Sequence, residues 1–390
     1  MIKSKIKINY IPEVKAVLFG RKKPSMVSVN LTNKCNQNCI YCEIGKENTK
    51  DEDDLINEDD MKWIINQMAS EGIERLSMCG GEPFLFQGLV DIVHYAWMKN
   101  IKSNITSNGM TIHKLTELEL KTLSDCKCHI NISVDSFNSD IQAKTRGNIH
   151  ALENAIRSIK ILQKNKINVT VLTAISKYNF EDLFSSIKSA YKLGVNEVLY
   201  QPIISVSNYP DKEKIERKEE LNVPISGIAK MNSQLNEILA FERRNNIRTN
   251  VYRIKPWISN YIKSVWQYDP KPFYLKGLKK FHCREIHAVI DISYNGGIQA
   301  CGLASAERNI KERNHHSLIN LWLEATTSLK KQLGNKNYPD ICNGCCHKYS
   351  RNMLASAIKF PVSNRQTTAI IFILLLKRIT NSFVKKIKKI

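Results

Sequence analysis

The sequence predicts an α/β protein with a parallel sheet covered by helices, and three observations carry that prediction. Short apolar alternating runs exchange with stretches of helical spacing six times between Met26 and Gln201. The glycine and polar clusters of this stretch each fall at the C-terminal end of a run, the side on which such folds bind ligands. A chain of 390 residues with 43% hydrophobic and 24% charged residues can bury a large core, as one large domain plus a smaller one.

The elements follow in order. Met26–Thr32 (MVSVNLT) alternates as a strand does. Glu58–Ser70 repeats its apolar residues at Met61, Ile64, Ile65 and Met68, and its first-turn acids suit a helix N-terminus. Arg75–Cys79 is a strand that stops at Gly80-Gly81, and Gly88–Met98 is a helix. Ser103–Ser107 is a strand ending at Asn108-Gly109, and Leu115–Leu123 is a helix. His129–Val134 runs to Asp135 and is followed by a long helix over Ile149–Gln163. Asn168–Ile175, Phe180–Lys192 and Glu197–Gln201 complete the series as strand, helix and strand. Either an open doubly wound sheet or a partial barrel satisfies this rhythm. In both, one rim collects the loop after the first strand, Gly80-Gly81-Glu82-Pro83, Ser107-Asn108-Gly109, Ser133 with Asp135, and Gln201.

The loop after the first strand reads CNQNCIYC, with Cys35, Cys39 and Cys42 at spacings of four and three. No opening segment combines a basic start, an apolar stretch and a small-residue cleavage site, so a reducing cytoplasm is expected. There clustered cysteines hold metal more often than they form disulfides. Thiolates select zinc or iron–sulfur clusters, and a structural zinc site closes with four protein ligands. This loop offers three. On a cubane of four irons, three cysteines leave one iron open to a small molecule.

These residues resemble the radical S-adenosylmethionine (SAM) superfamily. CNQNCIYC looks like its three-cysteine loop and Gly80-Gly81-Glu82-Pro83 like its glycine-rich motif, and the likeness runs in order over roughly residues 26–202. The resemblance implies a partial (β/α)6 TIM-like barrel. It implies a [4Fe-4S] cluster on Cys35, Cys39 and Cys42 whose open iron chelates SAM, reductive cleavage to a 5′-deoxyadenosyl radical, and abstraction of a hydrogen atom from a substrate. Tyr41 would lie near the adenine. Gly80 and Gly81 would let the backbone approach the methionine ammonium, and Glu82, beside Pro83, would hold the loop or that ammonium. Ser107, Asn108, Ser133 and Asp135 follow the third and fourth strands, where the family contacts the ribose or methionine part. Arg146, in Thr-Arg-Gly, would pair with the SAM carboxylate as a fork. A low-potential electron donor of the flavodoxin or ferredoxin type is implied as a partner. Cys79, Cys126 and Cys128 lack ligand spacing and read as small buried residues.

A second cysteine group lies further on. Cys283 and Cys301 flank HAVIDISYNGGIQA, a hairpin with Asn295-Gly296 at its turn, and Cys342-Asn-Gly-Cys345-Cys346 follows a helical stretch. By spacing alone this four-thiolate set suits zinc or an iron–sulfur cluster equally. Cys283, twelve residues, Gly296, four residues and Cys301 resemble the start of the auxiliary-cluster domain called SPASM. The chain departs from that pattern after Cys346, where no cysteine remains, so it looks like the truncated Twitch type. That resemblance implies one auxiliary [4Fe-4S] cluster on Cys283, Cys301, Cys342 and Cys345, with Cys346 as the spare.

The expected organisation is an N-terminal extension (1–25), a barrel core (26–205), a connector (206–280) that includes the charged stretch Tyr209–Glu220, an auxiliary-cluster domain (281–350) and a basic tail (351–390). The net charge of +21 suits nucleic acid, phosphorylated substrates or an anionic membrane, but the lysines are scattered without interleaved aromatics, which argues against nucleic acid. In the tail, AIIFILLL is too short to span a bilayer and is followed by VKKIKKI. It fits a helix lying on anionic lipid, placing the protein in the cytoplasm with peripheral membrane attachment, or a helix packed on protein. The substrate class expected is a peptide or small molecule. A non-catalytic iron–sulfur or zinc protein binding nucleic acid is the rival class, opposed by the intact Gly80–Pro83 motif and the three-ligand loop.

Overall fold

The computed structural model describes residues 23–42, 55–204, 220–267 and 285–335, with 337, 339, 342 and 345. Six strands form the centre: β1 (Met26–Asn30), β2 (Arg75–Cys79), β3 (Lys102–Ser107), β4 (His129–Ser133), β5 (Asn168–Ile175) and β6 (Glu197–Pro202). They lie side by side in chain order and all are parallel. Between them run α1 (Glu58–Ser70), α2 (Leu89–Met98), α3 (Glu117–Asp125), α4 (Ser139–Arg146), α5 (Ala151–Lys164) and α6 (Leu183–Lys192). Most boundaries match the sequence reading to within two residues. The helix expected from Phe180 begins only at Leu183. α4 had no apolar period to announce it.

The two faces of the sheet differ, and the difference separates the barrel from the doubly wound alternative. Val27, Val29, Leu76, Met78, Ile105, Ile130, Ile132 and Val198 are buried on one face, in one core with Met61, Ile64, Ile92, Leu123 and Ile159 from the helices. The alternate positions on the other face are Ser28, Asn30, Ser77, Asn104, Thr106 and Asn131. A parallel sheet covered by helices on both faces reads as continuously apolar. Among the described residues helices cover only one face, and the polar one is the lumen of a partial barrel. Cys79 shares the lumen parity and is partly buried rather than part of the apolar core, and its thiol donates to Asn30 Oδ1 at 3.1 Å. Cys126 and Cys128 are buried as expected.

The sheet continues beyond the six units. At one edge β7 (Arg248–Thr249) pairs with β6, flanked by α7 (Ile228–Arg244) and α8 (Val251–Trp266). α8 runs through Pro256, which as a helix breaker masks its sequence signal. Burial of Ile254, Ile258, Tyr261 and Ile262 outweighs that cost. At the other edge, after the short helix α9 (Glu285–Ala288), β8 (Val289–Ile292) pairs in parallel with β1 and antiparallel with β9 (Gly297–Gln299). β9 pairs in turn with β10 (Ala306–Asn309). The hairpin expected at Asn295-Gly296 therefore extends the barrel sheet. Arg313 pins it to α1 through Asp60 Oδ1 at 2.5 Å, and α10 (Leu318–Gly334) follows.

Candidate active site

The cysteine loop has no helix or strand of its own, and distant backbone holds it on two sides. On one side, Gly81 N–H donates to Thr32 O at 2.6 Å and Glu82 N–H to Lys34 O at 2.8 Å. The approach is so close that a Cβ on Gly81 would lie 2.1 Å from Lys34 O, and one on Gly80, at φ 131°, would lie 2.6 Å from Thr32 O. The contact that requires these glycines is with the cysteine loop itself, a reason additional to the expected approach to a ligand. On the other side, Ile40 N–H donates to Thr145 O at 3.1 Å, and Gly147, left-handed at φ 63°, would bring a Cβ to 2.1 Å from Asn38 O. Thr-Arg-Gly is thus the second jaw of a clamp.

Glu82 is fully buried and ties the rim together. Its Oε1 accepts from Ser107 Oγ at 2.8 Å and from Phe84 N–H at 3.1 Å, and its Oε2 accepts from Asn108 N–H at 2.8 Å. Burial holds its carboxyl above the ordinary range, and these hydrogen bonds oppose the shift. Both oxygens are engaged, so Glu82 holds the loop. Pro83 opens a short 3-10 turn capped by Glu82. Asn108 Nδ2 reaches Asn36 Oδ1 at 2.7 Å and Cys35 Sγ at 3.7 Å, so the motif after β3 also touches the cysteine loop.

Asp135 is the second hub, with no exposed surface. Its Oδ2 accepts from Tyr41 Oη at 2.6 Å, and its Oδ1 accepts from Arg146 Nη2 at 2.8 Å and Ala174 N–H at 2.9 Å. Arg146 also stacks on Tyr41, 5.4 Å from the ring centroid. Its Nε is buried without a hydrogen-bond partner among the described residues. Burial works against the Arg146 charge, but Asp135, Tyr41 and Cys39 together hold its pKa above the usual value. Burial pushes the Cys39 thiol up to about 11, against the pull of Arg146, and also raises Cys35 and Tyr41.

Two buried residues absent from the sequence reading brace Asp135. Gln142 Oε1 accepts from Asp135 N–H at 2.8 Å, and its amide reaches Ser133 O at 3.4 Å. Asn179 Nδ2 donates to Asp135 O and Ala174 O, both at 2.8 Å. The usable signal for Gln142 was its spacing of one turn from Arg146 on the short helix after Asp135.

The structure therefore brings Cys35, Cys39, Cys42, Tyr41, Gly80–Pro83, Ser107, Asn108, Ser133, Asp135 and Arg146 to one rim. Among the described residues no three His, Cys, Asp or Glu side chains converge on a single-ion site. The second cysteine group is reached in part. Cys301 and Cys342 pack on a small core of Ile286, Ala300, Leu329 and Leu333, and Cys345 N–H closes a turn on Cys342 O at 3.4 Å. Cys283, Cys346 and the basic tail lie outside the described residues.

The model of the radical SAM superfamily matches residues 29–202. Residues 29–202 are a radical SAM superfamily domain. The GTP 3′,8-cyclase of Clostridium perfringens (strain SM101 / Type A) is 30% identical over 174 residues, 42% of this chain and 51% of that protein. The AdoMet-dependent heme synthase of Methanosarcina barkeri is 26% identical over 171 residues, 44% of this chain and 48% of that one. The matched stretch thus spans about half the length of these relatives. Among solved structures, Streptococcus suis SuiB bound to S-adenosylmethionine aligns with a TM-score of 0.59 at 14% identity, over 84% of this chain and 74% of that one. The anSMEcpe structure with bound AdoMet and Cp18Cys peptide gives 0.57 at 14% identity, over 92% and 99%. At that identity the likeness is one of fold, and it extends past the radical SAM domain into the strands that follow.

Proposed function

We propose that the chain is a radical SAM enzyme acting on a peptide or small molecule, with Cys35, Cys39 and Cys42 holding a [4Fe-4S] cluster. The observation that carries this is the clamped loop: three partly buried thiols fixed from both sides, beside a buried Arg146 whose Nε has no hydrogen-bond partner among the described residues. The donor set suits an iron–sulfur cluster with one iron left open. When bound, the cluster supplies the electron that cleaves SAM to methionine and a 5′-deoxyadenosyl radical.

The protein's part is positional. Arg146, fixed by Asp135, offers Nε to the SAM carboxylate as a charge-assisted donor. Tyr41, held by its hydroxyl, presents a ring for the adenine. Ser133 and Asn108 border the same rim, and the Gly80–Pro83 backbone closes it.

The reading extends to the second group: Cys283, Cys301, Cys342 and Cys345 as ligands of an auxiliary [4Fe-4S] cluster in a Twitch-like unit over 281–350. Its support is that Cys301 and Cys342 share one small core. A structural zinc is the alternative. The oxidoreductase-type outcome, oxidation or cross-linking, follows from an auxiliary cluster that accepts an electron from the substrate radical. A flavodoxin- or ferredoxin-type donor supplies the first electron. Arg365–Ile390, with seven basic residues and no acid, is proposed as a peripheral anchor on anionic lipid from the cytoplasmic side. Its removal abolishes sedimentation with anionic vesicles and spares SAM cleavage.

Anaerobic reconstitution tests the core of this proposal. Wild type holds about eight irons, and replacing Cys35, Cys39 and Cys42 by Ala removes about four and abolishes 5′-deoxyadenosine formation. Continued 5′-deoxyadenosine formation by the triple variant sinks the catalytic assignment, and stoichiometric zinc with only about four irons replaces the auxiliary cluster with a structural ion.

A further inference from the structure

Asp182 stands at the N-terminus of α6, yet its side chain does not cap that helix. An aspartate in this position ordinarily accepts from a backbone N–H of the first turn. Here no such bond forms. Asp182 Oδ2 instead accepts from Ser136 Oγ at 2.5 Å and from Ser186 Oγ at 2.6 Å. Ser186 lies one turn further along, on the same side of α6 as Asp182. Both serines are buried. Each hydroxyl also accepts: Ser136 Oγ from Asn138 N–H at 2.8 Å, and Ser186 Oγ from Phe137 N–H at 3.0 Å.

These bonds complete a grip on the turn after β4. Thr173 Oγ1 donates to Val134 O at 2.7 Å, and Asn179 Nδ2 binds Asp135 O. Asp182 takes Ser136 and Ser186 takes Phe137, so the segment from β5 to α6 holds each of residues 134–137. α4 starts directly after this turn, capped by Asn138, whose Oδ1 accepts from Asp140 N–H at 2.9 Å. It is a helix of eight residues, about 12 Å long. At its far end lie Arg146 and the Thr145 and Gly147 backbone that clamps the cysteine loop.

We propose that Asp182, acting with Ser186 through Ser136, is a positioning residue that sets the base of α4 and so aims Arg146 Nε at the carboxylate of SAM. A short stiff helix carries a displacement at its base to its tip. Asp135 holds the guanidinium through Nη2 alone, which leaves the direction of Nε to the helix that bears it. Charge-assisted recognition of a carboxylate depends on that direction as well as on distance. The carboxylate that gives up the α6 cap thus orders a turn two strands' ends away from the cysteine loop, and its effect reaches the ligand only through α4. The proposal rests on the radical SAM reading, because SAM is the ligand whose carboxylate Arg146 meets there.

Equilibrium dialysis of the anaerobically reconstituted protein tests this with two ligands, SAM and decarboxylated SAM, which lacks the carboxylate. Asp182→Ala weakens SAM by about tenfold and decarboxylated SAM by less than about twofold, with the iron content of wild type retained. Ser186→Ala is milder, because the bond between Asp182 and Ser136 stays. It shifts the same ratio by about threefold and carries the test where Asp182→Ala does not fold. Equal weakening of both ligands means a general loosening and overturns the proposal. Unchanged SAM affinity in both variants overturns it too. So does a loss of about four irons, which assigns Asp182 to the clamp on the cysteine loop instead. A wild type that binds no SAM overturns the radical SAM reading and this proposal together, whereas the variant results bear on the proposal alone.

Discussion

Cys35, Cys39 and Cys42 occupy a loop without regular structure, held by Gly80-Gly81 on one side and Thr145–Gly147 on the other. Cys301 and Cys342 instead lean on the small core of Ile286, Ala300, Leu329 and Leu333, behind a hairpin added to the edge of the barrel sheet. The first arrangement fixes backbone by backbone, at approaches that only glycine permits. The second places side chains on an apolar support that tolerates small shifts. Placing a reacting group demands the tighter of the two, because misplacement of about 1 Å can cost about a hundredfold in rate. An auxiliary centre or structural ion can rest on the looser one.

The largest test of this contrast is Asp135→Asn. It keeps the shape and removes the carboxylate charge that compensates buried Arg146. Breaking one partner of a buried pair costs about 3–5 kcal/mol. Urea unfolding of the apo protein should show that loss, and SAM binding should weaken with it. A change under about 1 kcal/mol would mean that Arg146 finds other compensation.

Gly147→Ala comes next. A left-handed residue with a Cβ costs about 1–2 kcal/mol, to which the clash with Asn38 O is added. The first cluster should then fail to load while the second cysteine group still does, an outcome read as about four irons lost on reconstitution. Equal loss from both groups would end the claim that they are held independently.

Arg313→Ala probes the looser region. The pair with Asp60 is partly exposed, so the expected cost is at most about 1 kcal/mol. Asp60 also belongs to the capping box of α1, which remains in place. Thermal unfolding should shift slightly, with the cluster on Cys35, Cys39 and Cys42 unaffected. A large loss would show that the annexed hairpin is integral to the barrel.

The smallest effect concerns pH. The folded pKa of Glu82 is raised above its unfolded value near 4.3. Its stabilisation is therefore fully present below the unfolded value and falls as pH rises through the folded one. Glu82→Gln should flatten the stability profile in that acid window. It should also lower overall stability, because the amide cannot accept as its two oxygens do from Ser107, Phe84 and Asn108. An unchanged slope would assign the pH dependence elsewhere.

The sequence by itself determined the strand–helix order, the placement of polar clusters at strand ends and the membership of the cysteine loop, because each is written in local periodicity and spacing. Periods of two and 3.6 survive in one dimension, and so do three thiols within eight residues. What it left undetermined was long-range. The helix Ser139–Arg146 is short and polar, so no apolar period marked it and only its caps, Asn138 and Gly147, were there to read, yet it carries Gln142 and Arg146 into the site. The reason for Gly81 and Gly147 lay in backbone from other loops, and a left-handed φ or a close approach has no one-dimensional trace beyond the glycine itself. Asp135 was legible as a residue at a strand end, but its partners Tyr41, Arg146 and Ala174 are brought together only when β4, β5 and the cysteine loop pack. The polar lumen follows the same logic: alternation along each strand was visible, but only strand register aligns Ser28 with Ser77 and Asn104.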